Sequence, residues 1–98
     1  MHVITRRRLR EFWEKHPDAR TPLATWFGIV RRARYADSAD VTRDFASVSF
    51  LGDYRTVFNI GGNKYRLVVD MRYDLGRVYI RDVLTHQEYT RRSRAGTL

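Results

Sequence analysis

The sequence contains no cysteine. That absence excludes disulfides, thiolate zinc sites and cysteine nucleophiles together. Long apolar runs are missing too: no stretch approaches the roughly 20 residues that a membrane helix needs. The opening Met1-His2-Val3-Ile4-Thr5 leads straight into Arg6-Arg7-Arg8, with no apolar segment behind the charges. A secretory leader is therefore not expected, and a cytoplasmic location is. Metal-ligand patterns are also lacking. Asp70, Asp74, Asp82 and Glu88 form no recognisable ligand spacing, and no H-E-x-x-H occurs. Gly61-Gly62-Asn63-Lys64 lacks the Ser or Thr and the following helix of a phosphate-binding loop. Neither a metal nor another cofactor is expected.

The 98 residues suit one domain spanning 1–98. Hydrophobic residues make up 43%, with two Trp, five Phe and six Tyr, which is enough for a small core. Nineteen Lys and Arg stand against 11 acids, a net charge of +8. Such a chain seeks polyanions: nucleic acid first, then an acidic protein or a membrane surface. All but Lys15 and Lys64 of the cations are arginine. Arginine presents a planar fork of donors that fits phosphate. It keeps its proton at neutral pH, so any proton transfer must use other groups. Genomic base composition is a second reading of the bias.

Apolar spacing places the elements. His2 to Thr5 reads as a short strand. Leu9, Phe12 and Trp13 follow helical spacing from Thr5 to His16, and Pro17 ends that helix. Thr21-Pro22 reads as the cap and first turn of a second helix. It runs to about Tyr35 with Leu23, Trp26, Phe27 and Val30 on one face. Residues 36–53 read as loop, with one helical turn over Val41–Phe45 and a turn at Gly52-Asp53. Arg55–Ile60, Lys64–Met71 and Arg77–Val83 read as strands joined by turns at Gly61-Gly62-Asn63 and Tyr73–Gly76. From His86 the chain reads as a polar tail with frayed last residues. The plan is α+β: a short N-terminal strand, two helices, then an antiparallel β-meander.

Alternation along the second meander strand puts Tyr65, Leu67 and Val69 on one face and Lys64, Arg66, Val68 and Asp70 on the other. Asn59 of the preceding strand falls on the Arg66 side. This makes a basic, hydrogen-bonding sheet face, though an ordinary solvated face reads the same way. His86 is the one histidine in the second half, and imidazole is the side chain suited to carry protons near neutral pH. Tyr89, three residues on, is a second donor or a platform for a base. His2 and His16 read as structural. Metal-free RNA cleavage needs little more: a base for the 2′-OH, cations at the phosphate and an acid for the leaving oxygen. Lys64 and Arg66 supply the cations, and His86, assisted by Tyr89, carries the proton. Asn59, Asn63, Arg77, Arg81, Arg91 and Arg92 are the candidate RNA contacts.

Three segments, Val57–Val68, Tyr79–Val83 and Thr85–Tyr89, together resemble the HigB toxin family, and Met1–Thr5 is similar as well. The resemblance is strong from Val57 to Tyr89 and weak from Ala36 to Tyr54. It implies a RelE-like fold, cleavage of mRNA in association with the ribosome, and neutralisation by a cognate antitoxin protein. Under the resemblance, Arg66 matches the family's catalytic-strand arginine, and His86 sits where related toxins carry Arg or His. Tyr89 sits near a C-terminal tyrosine. Asn59 stands where RelE itself has Lys, and Thr90 stands where family members tend to have Asp. Two other readings stay open: a basic RNA- or ribosome-binding module without catalysis, and a degenerate toxin that acts with its antitoxin only as a repressor complex.

Overall fold

The computed structural model describes residues 1–98. In chain order the elements are β1 (His2–Ile4), α1 (Arg6–Lys15), a 3-10 turn (Pro17–Ala19), α2 (Arg20–Arg32), α3 (Ser38–Asp44), β2 (Ser49–Phe50), β3 (Arg55–Ile60), β4 (Tyr65–Arg72), β5 (Arg77–Thr85) and α4 (His86–Ala95). The α+β class and the β3-β4-β5 antiparallel meander match the expectation. The sheet as a whole is mixed, because β1 pairs in parallel with β5 in the order β1-β5-β4-β3-β2. Four α-helices form where two were expected. No helix is long and apolar enough to cross a membrane.

The core lies between the sheet and the α1–α2 layer. Leu9 of α1 and Leu23, Trp26 and Val30 of α2 are buried against Phe58, Ile60, Tyr65, Leu67, Val69, Met71, Val78 and Ile80. α2 starts one residue before Thr21. Pro17 opens a 3-10 turn that runs directly into the helix, so Ala19 is the N-cap and no side chain caps it. The helix stops at Arg32, short of Tyr35. Tyr35 is instead buried beyond the helix end, its hydroxyl donating to Asp44 at 2.7 Å. α3 extends the expected single turn because Asp37 caps it, accepting from the Asp40 N–H.

Gly61 and Gly62 both adopt left-handed backbone (φ 63° and 70°), which explains two glycines in succession. The turn runs through Lys64, so β4 begins at Tyr65. A bulge in β5 matters more for the site. Val68 pairs with Asp82 and Val69 with Ile80, so Arg81 has no partner residue on β4. The extra residue shifts the alternation by one. Val78 and Ile80 before it, and Val83 after it, pack toward the helical layer, while Leu84 joins Val57 and Val68 on the opposite face. The outer face is not simply solvated. The segment expected to be a polar tail with frayed last residues folds as α4, and Tyr89 of that helix and Leu98 beyond it pack against that small apolar cluster.

Leu67, fully buried between the layers, tests the core directly. Leu67→Ala is expected to lower unfolding free energy in urea by about 3 kcal/mol, within the range for buried leucine truncations, with little change in the denaturant slope.

Candidate active site on the outer sheet face

The register of the sheet assembles the site. Asn59, Arg66 and Leu84 lie in one cross-strand row. β5 ends one residue after Leu84, and α4 begins at once. A capping box makes that abrupt change possible. The Thr85 hydroxyl accepts from the Glu88 N–H at 3.2 Å, and the Glu88 carboxylate accepts from the Thr85 N–H at 2.9 Å. His86 is therefore the first helical residue. Its backbone N–H donates to the Lys64 carbonyl at 3.0 Å, which ties α4 to the β3–β4 turn.

Arg66 reaches across this junction. One guanidinium nitrogen lies 3.2 Å from His86 Nδ1, the other donates to the Tyr65 carbonyl, and the guanidinium carbon sits 5.5 Å from the centre of the Tyr89 ring. Arginine has only donors, so Nδ1 must accept and the ring proton must sit on Nε2. No carboxylate pairs with Arg66. The cation is thus held in place by neutral partners and is open to an anion. Beside it, His86, Gln87, Thr90, Arg91 and Arg94 line a groove of about 530 Å³ along one side of α4.

The candidate residues from the sequence divide into two groups. Arg66, His86 and Tyr89 converge, Asn59 is paired beside Arg66, and Arg91 borders the groove at His86. Asn63 lies exposed in the turn that His86 anchors. Lys64 does not share a face with Arg66. It belongs to the turn, and its Nζ lies 3.1 Å from Asp18, an acid that also accepts from the Tyr65 hydroxyl. These two bonds, the Tyr65 one first, hold the Asp18 carboxyl below the usual range. Arg92 turns back to Asp82 at 2.9 Å, Arg81 faces Asp70 at 3.6 Å, and Arg77 opens β5 at the end remote from His86. Gln87 and Arg94 were not anticipated. The Thr85-x-x-Glu88 spacing was the available signal, because a capping box at that point puts Thr90 and Arg94 at helical spacing from His86. No three His, Asp or Glu side chains stand close enough together to hold a metal ion.

A donor-only cation with no acid on it lies against an imidazole, on a rigid strand–helix junction of a strongly basic α+β scaffold; such an arrangement is chemically able to hold an anion beside a group that can carry a proton. Comparison with known proteins narrows that chemistry. Residues 19–92 match the family model for HigB_toxin, a RelE-like toxic component of a toxin–antitoxin system. The mRNA interferase toxin HigB of Escherichia coli K12 is 32% identical over 91 residues, covering 91% of this chain and 88% of the relative. The mRNA interferases HigB of Escherichia coli O157:H7 and Shigella flexneri match to the same extent. The chain belongs to the HigB toxin family, and as the toxic component of a toxin–antitoxin system it has an antitoxin for a partner.

The capping box makes two expectations. Thr85→Ala should cost α4 about 1 kcal/mol, visible as faster amide exchange in residues 86–95. The Thr85 backbone also holds the Glu88 carboxyl below its ordinary value. A carboxyl lowered by folding stabilises the structure above its unfolded titration and loses that effect as pH falls through the folded one. Exchange in α4 should therefore quicken as pH drops below the ordinary glutamate range, after correction for intrinsic rates. Glu88→Gln, whose amide oxygen still accepts, should remove this acid dependence.

Proposed function

We propose that the chain is an mRNA endoribonuclease of RelE-like fold that inhibits translation, acting in association with the ribosome, with Arg66, His86 and Tyr89 as its catalytic residues. The observation that carries the reading is the contact of Arg66 with His86 Nδ1 at 3.2 Å, with no acid on the arginine. The family's relatives bear the name mRNA interferase, which fits the same reading.

The chemistry follows from the donor set. A scissile phosphate draws the Arg66 fork onto a non-bridging oxygen, where its charge offsets the charge that builds on phosphorus. That exchange releases the Nδ1 lone pair of His86. Nδ1 takes the proton of the adjacent ribose 2′-OH, and the 2′ oxygen forms its bond to phosphorus. The bond from phosphorus to the 5′ oxygen breaks, and that oxygen takes a proton from the Tyr89 hydroxyl; His86 then gives its proton to solvent and solvent returns one to Tyr89, so both groups end as they began. The products are a 2′,3′-cyclic phosphate and a 5′-hydroxyl. DNA is refused because it has no 2′-OH. Asn59, Asn63 and Arg91 hold neighbouring parts of the strand. Lys64 acts at a distance from the reacting atoms, by anchoring the turn through Asp18.

Induction in growing bacteria with mapping of mRNA ends tests the reading. Wild type should arrest growth and create new mRNA ends, and His86→Ala should do neither. Purified His86→Ala should cleave at least 100-fold more slowly yet bind RNA within a few fold of wild type. Arg66→Ala should lose both cleavage and part of the affinity. Intact mRNA and normal growth with expressed wild type would favour the non-catalytic binding module or the repressor-only toxin. Undiminished cleavage by His86→Ala would remove the proton-transfer role.

A further inference from the structure

The arginines of the helical layer have no part in this site. From Arg20 to Tyr35 the sequence holds four arginines and no carboxylate. On the outer sheet face the acids are matched with cations: Asp70 with Arg55 and Arg81, Asp74 with Arg72, Asp82 with Arg92. On the helical layer Arg6, Arg31 and Arg32, and in the loop just after α2 Arg34, have no ion pair. Phe27 gathers two of them. The Arg6 guanidinium carbon lies 5.0 Å from its ring centre and that of Arg31 lies 5.9 Å away, so cations from α1 and α2 share one ring. Uncompensated charge held together in this way favours a polyanion.

We propose that this α1–α2 face is a second RNA-binding surface, one that takes the phosphate backbone of a duplex rather than the strand to be cut. Its location supports separate binding. Arg6 comes just after β1, whose last residue Ile4 pairs with Tyr79, and His86 lies seven residues further along the chain than Tyr79, past the far end of β5, about 23 Å away at 3.3 Å per residue. Its chemistry supports a duplex. Neither α1 nor α2 contains Asn or Gln to read a base edge. The Phe27 ring is already occupied by guanidinium groups and offers no platform for an unpaired base. What remains is a set of forked cations, which suits phosphates whose bases are hidden in a helix. An acidic protein or an anionic membrane would meet the same charges, and the test separates them.

The experiment uses the full chain and a blunt-ended 20-base-pair RNA duplex, titrated across a salt series. The triple variant Arg6→Gln/Arg31→Gln/Arg34→Gln should bind the duplex at least tenfold more weakly. Its log–log salt slope should fall by about 0.9 for each phosphate that is no longer neutralised, the B-form value. Cleavage of a short single-stranded RNA should stay within twofold of wild type, which keeps this result independent of the cleavage reading. Unchanged duplex affinity and slope would overturn the proposal. So would a loss confined to anionic phosphatidylserine vesicles or to an acidic peptide. If circular dichroism shows the triple variant misfolded, Arg34→Glu alone, which is not stacked on Phe27, must lower duplex affinity; if it does not, the proposal fails.

Discussion

Arg66 donates hydrogen bonds and never accepts them, and the arrangement of the outer sheet face follows from that one restriction. Its partners must be acceptors: a backbone carbonyl, a deprotonated imidazole nitrogen and the face of a tyrosine ring. No acid neutralises it. The strand that carries Arg66 is pinned on both sides, by β3 and by β5, and the helix that carries its two aromatic partners starts without a linker. The result is a cation whose position is fixed while its charge remains available. Removing the capping box, or the bulge that directs Leu84 outward, would disturb this contact before it disturbed the core beneath.

Charge is distributed to the same end. With only 11 acids for 19 cations, where the acids sit decides which cations are available. Most acids on the sheet face restrain arginines at a distance from the Arg66 junction. Asp18 draws Lys64 toward the helical side. The outcome is a small open site at one end of β5 and an uncompensated arginine layer at the other. The more exposed of these pairs add little stability individually; their effect is to set which surfaces attract anions.

Much of the fold was legible because it rests on periodicity. The α1 and α2 faces, the alternation of Tyr65, Leu67 and Val69, and the Gly61-Gly62 turn all follow from local spacing, and the Asn59–Arg66 pair follows from the turn. α4 was not legible in this way. His86 to Ala95 carries one large apolar side chain, Tyr89, so no helical stripe marks it, and it folds through its cap and a small contact with Val57, Val68 and Leu84. Lys64 was misplaced by a single residue, because the turn consumes it before the strand alternation begins. Arg77, Arg81 and Arg92 looked equivalent to Arg91 by composition. Only the register, the bulge and specific acids separate them, and those are long-range facts. The parallel pairing of β1 with β5 is of the same kind.

The claim that Arg66 and His86 act as one unit is tested most directly by a double-mutant cycle on the cleavage rate, comparing Arg66→Ala, His86→Ala and both together. If charge stabilisation by Arg66 and proton transfer by His86 serve one concerted step at phosphorus, each single change disables that step. The double variant should then be no more than about tenfold slower than the worse single variant. A loss equal to the product of the two single losses would mean that the residues work independently, and would contradict the account.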